Sequence, residues 1–170
     1  MRKTLIYFIL MIITMGTIFA FSSDNGKDTN QKSNMLVNPI ESTIKAASDK
    51  TFESEKEETD YWKKVRSKIS TAVRKTAHTV IYCLLSIFTL LFFKSLNLET
   101  ADALMMTLLL CVLYAAGDEL HQHFSNGRDC KFSDVCIDTF GAWIGTLLVY
   151  IAGKLKAHKT KRKLHFKAKL

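Results

Sequence analysis

Hydrophobic residues fall into four blocks, near residues 5–21, 77–93, 103–117 and 135–152, and charged residues are concentrated between the blocks. Each block is about 15–20 residues long, close to the length of helix that crosses the hydrocarbon core of a bilayer. A helix of a soluble bundle would carry a polar residue on one face about every 3.6 residues. The stretch 84–93 has no such stripe. The pattern predicts an all-α integral membrane protein built as a four-helix bundle.

The first block fits two interpretations. Arg2 and Lys3 followed by a short apolar run are typical both of a signal peptide and of a membrane span. The stretch 19–23 lacks the small-x-small pattern of a cleavage site. We therefore favour an uncleaved first transmembrane span over residues 1–23. If the block were cleaved, three spans would remain.

Residues 24–73 are predicted to form a polar extracytoplasmic segment. Its first part, 24–60, is rich in Lys, Glu, Asn and Ser, which is typical of a flexible loop. Within it, Asn38-Pro39 can start a short helix with the proline at its first position. From residue 61 an apolar helical face appears among lysines, and it consists of Tyr61, Trp62, Val65, Ile69 and Val73. This predicts an interfacial amphipathic helix that leads into the second span.

Residues 74–153 are predicted to form a core of three spans. The short turn 94–102 makes the second and third spans an antiparallel hairpin. We expect the third helix to continue past Gly117 to Gln122, and Ser133 to cap the fourth helix. Gly141 and Gly145 form a small-xxx-small pair that permits close helix contact.

The basic charge of the chain follows the arrangement of a membrane protein. The formal net charge is +8, and eight of the 24 Lys and Arg residues lie after Gly153. A basic flank of this kind marks the cytoplasmic side, and it also suits contact with anionic lipids. We therefore expect a multi-pass protein of the cell membrane with a cytoplasmic N-terminus and a basic cytoplasmic tail, 154–170. No nucleic-acid recognition module accompanies the charge, so nucleic-acid binding is not expected.

Ten polar residues come together at one end of the predicted bundle. The start of the second span, the end of the third and the start of the fourth lie on one side of the membrane, because the chain connects them in that order. With cytoplasmic termini, this side is extracytoplasmic. Polar residues at membrane depth are costly and usually functional. The candidate ligand-binding residues are Arg74, Lys75, His78, Tyr82, Asp118, Glu119, Gln122, Arg128, Asp134 and Asp138.

Other interpretations of these residues stay open. The acids and the cations can simply neutralise one another and fix the register of the helices. A metal is not expected, because His121 and His123 point about 200° apart on a helix and no zinc-binding spacing occurs. We also expect no cofactor. Cys83 and Cys111 are expected to be packing residues. A disulfide between the remaining two cysteines is not required by their spacing.

At these positions the chain resembles the VanZ-like family of small polytopic membrane proteins. The resemblance rests on Arg74-Lys75-x-x-His78-x-x-x-Tyr82, Asp118-Glu119-x-x-Gln122-x-Phe124-x-x-Gly127-Arg128 and Asp134-x-x-x-Asp138-x-x-Gly141-x-x-x-Gly145, together with Phe19-x-x-Ser22-Ser23. Asn126 stands where the family usually has proline, so this loop is less constrained. The resemblance implies a membrane protein of the type associated with resistance to teicoplanin-like glycopeptide antibiotics.

Three functional hypotheses follow. The favoured one is a binding protein whose outward polar site holds an envelope lipid or a glycopeptide-type ligand, with Arg74, Lys75 and Arg128 contacting its anion. The alternative is an intramembrane enzyme acting on a lipid head group, in which His78 is the acid/base and Asp118 or Glu119 its partner. Transport is weaker, because four short spans make a poor pathway without association of subunits. The sequence does not determine the ligand or the oligomeric state.

Overall fold

The structure, a computed structural model, contains five α-helices in its described part. They are α1 (Arg2–Ser23), α2 (Gly26–Ala46), α3 (Glu55–Ser95), α4 (Thr100–Asn126) and α5 (Phe132–Lys167). The backbone is described for residues 1–23, 26–126 and 131–167, and the side chains for 1–22, 34–124 and 131–162. Helix α3 is central, since it contacts each of the other four helices.

Four of the five helices are long and apolar enough to cross a membrane, namely α1, α3, α4 and α5. Their outer surfaces expose large apolar side chains such as Leu5, Leu84 and Leu113. The interior instead buries small polar residues such as Thr89, whose hydroxyl donates to the Leu85 carbonyl oxygen at 2.7 Å. An apolar exterior around a tightly packed interior with small polar residues is the arrangement that a lipid solvent favours. The predicted fold class, a helical membrane bundle, is confirmed.

Helix α3 is much longer than a membrane span. Its 41 residues extend about 60 Å, twice the thickness of a hydrocarbon core. The predicted amphipathic helix and the second span are therefore one continuous helix whose first half extends beyond the apolar segment. Ser54 caps the start of the helix, and its hydroxyl accepts a hydrogen bond from the Glu57 amide at 3.3 Å.

The expectation of a flexible loop at 24–60 was wrong for residues 26–46, which form α2, and for residues 55–60, which belong to α3. Pro39 lies inside this helix rather than at its start. Helix α2 packs on the extended half of α3, where Val37 and Trp62 are buried. The composition of the segment is too polar for a core of its own, but the surface of α3 provides the apolar partner. Tertiary packing of this kind routinely decides whether a weak helix forms.

Glycines allow α5 to lie directly against α3. A Cβ atom added to Gly141 would collide with the Thr79 carbonyl oxygen, and one added to Gly145 with that of Cys83. Both glycines are buried, so the two backbones touch along this stretch. The small-xxx-small pattern therefore sets the distance between α3 and α5, the two helices that supply His78 and Asp138.

The start of α5 differs from the sequence expectation in one detail. The helix begins at Phe132, so Ser133 lies inside the first turn instead of capping it. The Ser133 hydroxyl donates to the Asp134 carboxylate at 3.3 Å. Asp134 remains within the first turn, where a negative charge is favoured by the helix dipole.

Candidate functional site

Polar side chains meet at one end of the bundle, where α1 and α4 finish and α5 begins; we call this the polar end. Helix α3 passes the same level at residues 74–82 and reaches the other spans from the centre. Buried residues at this end include Ser22 of α1, Asp118 of α4 and Asp138 of α5. Four helices therefore contribute to one site.

The centre of the site, here called the central cluster, consists of His78, Asp118 and Asp138. The His78 Nδ1 atom lies 3.6 Å from a carboxylate oxygen of Asp138. One donor atom from each of the three residues lies within 4.8 Å of the others. Asp118 and Asp138 are only 6% and 5% exposed. Two acids are thus held beside a single imidazole, away from bulk water.

A hydrogen-bond network fixes the orientation of the Asp118 carboxylate. The Ser22 hydroxyl donates to Asp118 Oδ2 at 2.8 Å, and the Gln122 amide donates to the same oxygen at 3.0 Å. The Gln122 amide also donates to the Ser22 hydroxyl oxygen at 3.0 Å. All three residues are buried. The carboxylate orientation is therefore determined jointly by α1 and α4.

The outer part of the site carries the cations. Lys75 Nζ lies 3.0 Å from Asp134 Oδ1, and both side chains are about one-third exposed. Arg74 is exposed and makes no ion pair within the described residues, but its charge acts on His78. Among the side chains that the structure describes, this guanidinium has no carboxylate partner, and it lies at the same end of the bundle as the buried acids.

Glu119 has a different role from Asp118. Its carboxylate accepts a hydrogen bond of 2.7 Å from the backbone amide of Lys131. That amide directly precedes α5, so Glu119 holds the entry of α5 against the end of α4. The side chain is buried and positions the chain around the site.

Tyr82 completes the interior below the central cluster. It is fully buried, and its hydroxyl has no hydrogen-bond partner among the described residues. Tyr82 lies one helical turn after His78 on α3. The neighbouring Tyr114 uses its hydroxyl differently, donating to the Met15 carbonyl oxygen of α1 at 2.7 Å.

Nine of the ten residues singled out in the sequence have described side chains, and all nine lie on the helix stretches that meet at the polar end. His78, Asp118 and Asp138 form the centre, while Lys75 and Asp134 form a separate outer pair. Arg128 lies outside the described residues. His121 stacks on Phe19 of α1, with ring centroids 4.5 Å apart, rather than joining the central cluster.

Ser22 was absent from the candidate site residues, although it bonds directly to Asp118. A serine at the end of an apolar block has no chemical signal of its own. Its place in the Phe19-x-x-Ser22-Ser23 pattern was the feature that could have identified it.

A protein-family model described as VanZ/LLP1 matches residues 5–153 of the chain. The chain belongs to the VanZ/LLP1 family. The match begins in α1 and reaches Gly153 in α5, so it includes Ser22 and every residue of the central cluster. It also includes α2, and it ends before the basic tail. No curated protein and no solved structure matches the chain.

The VanZ/LLP1 site can hold charge of both signs at different depths. The inner carboxylates can orient a cation or accept donors, and Asp138 lies close enough to His78, at 3.6 Å, to form an ion pair with its protonated imidazole. The outer cations, Arg74 and Lys75, can meet an anion that approaches from the membrane surface. A ligand that enters this site would therefore meet positive charge first and negative charge deeper inside.

Proposed function

We propose that the polar end faces outward and binds the anionic group of an envelope lipid or of a glycopeptide-type ligand. The observation that carries the proposal is the exposed Arg74, which has no ion pair within the described residues and stands beside Lys75. A guanidinium can form two parallel hydrogen bonds to a phosphate or a carboxylate. Lys75 adds a second positive charge on the same turn of α3.

The buried acids support this binding mode indirectly. Asp118 and Glu119 already accept protein hydrogen bonds, and Asp138 faces His78. These acids are buried and hold the helices together, so that an incoming anion meets the exposed cations rather than free carboxylates. Arg128 is the third cation in the sequence prediction, and its contribution remains part of the proposal.

Membership of the family supports a role in the cell envelope. The resemblance to proteins associated with teicoplanin-like resistance suggests that protection from glycopeptides is the physiological role to be examined. Both ligand sources share an anionic group presented at the outer surface. A binding experiment with each source distinguishes them.

The experiment uses the full chain in nanodiscs of zwitterionic lipid. Phosphatidylglycerol and, separately, teicoplanin are titrated, and binding is followed by native mass spectrometry. Arg74→Ala and Arg128→Ala are each expected to weaken binding about tenfold, the value of one charge-assisted hydrogen bond. Lys68→Ala is the control, because Lys68 is an exposed cation on α3 outside the site. Equal binding by Arg74→Ala, Arg128→Ala and wild-type protein would contradict the proposal.

The outward orientation is tested separately. Ser133 is exposed at the start of α5, so a Ser133→Cys variant without the natural cysteines places one thiol at the polar end. A membrane-impermeant maleimide should label this thiol in intact cells. Labelling only after lysis would reverse the orientation.

An intramembrane enzyme acting on a lipid head group is the second candidate, and the contact between His78 and Asp138 favours it. A carboxylate beside an imidazole orients it and stabilises its protonated form during proton transfer. Asp138 is thus a better partner for His78 than Glu119, which accepts from the Lys131 amide. Purified protein incubated with labelled envelope lipids should then release a product that His78→Ala abolishes.

A further inference from the structure

We propose that His78, Asp118 and Asp138 bind one first-row divalent cation such as Mn²⁺ or Zn²⁺. The three residues come from three helices and already place one donor atom each within 4.8 Å of the others. Ligands about 2.1 Å from one ion lie no more than about 4.2 Å apart. Small side-chain rotations would therefore bring this set to coordination distance.

The donor set favours a transition metal over Mg²⁺ or Ca²⁺. Two carboxylates alone would suit the hard cations, but an imidazole nitrogen is a ligand preferred by zinc and other first-row transition metals. Three protein ligands also leave at least one coordination position open.

The charges of the central cluster also favour a bound divalent cation. With a protonated His78, the two buried carboxylates leave one negative charge uncompensated inside the central cluster. A divalent cation with neutral imidazole brings the sum to zero, which lowers the cost of burying the acids. Two buried carboxylates beside one imidazole therefore favour a cation at the centre.

Tyr82 provides an independent observation. Its hydroxyl is completely buried and unpartnered within the described residues, and Tyr82 lies one helical turn after His78 on α3. Buried hydroxyls are nearly always hydrogen-bonded. An oxygen ligand on a bound ion would be an acceptor for this hydroxyl.

The surroundings of Asp118 resemble the outer shell of a metal ligand. Ser22 and Gln122 both bond to Oδ2 of Asp118, and no described residue bonds to Oδ1. Outer-shell hydrogen bonds of this kind orient a ligating carboxylate. Residue spacing within one helix does not reveal this site, because its three ligands lie on three helices and are brought together only by folding.

Ion binding can be tested without any lipid or glycopeptide ligand, so this proposal and the head-group proposal fail separately. The full chain is stripped with a chelator, reconstituted in zwitterionic nanodiscs and titrated with Mn²⁺ or Zn²⁺. Free Mn²⁺ is measured by electron paramagnetic resonance, and bound metal by elemental analysis after desalting. We expect one ion per chain, and a metal-dependent rise in the thermal unfolding midpoint.

The variants Asp118→Asn and Asp138→Asn preserve side-chain shape and should weaken binding more than about 100-fold, since outer-shell changes alone cost about 10- to 100-fold. Asp134→Asn is the matched control, because Asp134 lies one turn from Asp138 but pairs with Lys75. It should change affinity less than about fivefold, as one partly exposed charge does. Circular dichroism verifies folding of each variant.

Two results would overturn the proposal. One is that wild-type protein binds no stoichiometric Mn²⁺ or Zn²⁺ and gains no thermal stability from either ion. The other is that Asp134→Asn loses as much affinity as Asp138→Asn, since that would indicate general attraction of cations to an acidic surface. The wild-type measurement decides the question even if a variant fails to fold.

Discussion

Polar side chains join α3 to its neighbours in two places, at the polar end and along the extension that carries α2. At the polar end, Asp118 and Asp138 are 6% and 5% exposed and face His78. On the extension, Lys45 and Glu58 form an ion pair of 3.4 Å with side chains 57% and 43% exposed. Both places bring acidic side chains close to basic ones, but those at the polar end are buried and those on the extension are exposed to solvent.

The difference in burial changes what each contact contributes. An exposed ion pair is worth about 0.2–1 kcal/mol, because water and salt screen it. A buried charge that loses its partner destabilises a protein by about 3–5 kcal/mol. The extension is therefore interpreted as an ordinary solvated helix contact, to which Arg66 adds bonds to Glu41, Asn34 and Asn38. The central cluster is the place where a function is expected.

The largest effect is expected from His78→Leu. This substitution leaves Asp118 and Asp138 facing each other without an imidazole, and should lower the free energy of unfolding by about 3 kcal/mol. Lys45→Leu, in the extension, should lower it by less than about 1 kcal/mol. Both values are measured by SDS titration in mixed micelles with a chelator present, followed by helix content.

A double variant sharpens this comparison. His78→Leu combined with Asp138→Leu removes both partners, and apolar replacement of a buried pair is often nearly neutral. The double variant should therefore be more stable than His78→Leu alone. If both single variants, His78→Leu and Lys45→Leu, had equal effects, the two places would not differ in the way proposed.

An intermediate effect is expected from Gly141→Ala, which tests the spacing of α3 and α5. The added methyl group would meet the Thr79 carbonyl oxygen, so α5 must shift away, together with Asp138. Overpacking of this kind costs about 1–3 kcal/mol. The same SDS titration measures the loss.

Gly153→Ala is the control for that substitution. Gly153 lies in the same helix, and a Cβ atom there has only the Lys94 Nζ atom nearby, at 3.8 Å. Alanine is the better helix former, so Gly153→Ala should be neutral or stabilising by up to about 1 kcal/mol. A loss at Gly153 equal to that at Gly141 would contradict the close contact.

The four membrane-spanning helices could be predicted from the sequence, because the thickness of the bilayer sets the length of each apolar block. Connectivity was sufficient to bring His78 of α3 and Asp138 of α5 to one end. The pairings within that end could not be predicted, since they depend on how each helix is rotated about its axis. Rotation is fixed by contacts such as those of Gly141 and Gly145, which involve the backbone of another helix.

Helix α2 could not be predicted for a related reason. Composition judges a segment alone, and residues 26–46 have few apolar side chains to bury. Val37 is nevertheless buried, because α3 extends far enough beyond its apolar half to receive it. The sequence pattern predicts a membrane span and a separate amphipathic helix, but the two form one continuous helix, α3.

The smallest effect is expected from Ser22→Ala, which removes the hydrogen bonds that α1 makes to Asp118 and Gln122. The Asp118 carboxylate loses one donor, and the Gln122 amide loses one acceptor. Hydrogen bonds between membrane helices contribute about 0.6 kcal/mol each. The free energy of unfolding should fall by about 1 kcal/mol, measured in the same micelles.

Ser42→Ala is the matched control from the extension. The Ser42 hydroxyl is exposed and donates to the Pro39 carbonyl oxygen at 2.9 Å within its own helix. Its loss should change stability by less than about 0.5 kcal/mol, as for most surface substitutions. Equal, negligible effects of the two serine substitutions would mean that α1 does not take part in the folded site, which is the behaviour of a cleaved leader. A larger effect at Ser22 would instead indicate that α1 is part of the folded site, since Ser22 bonds to Asp118 directly.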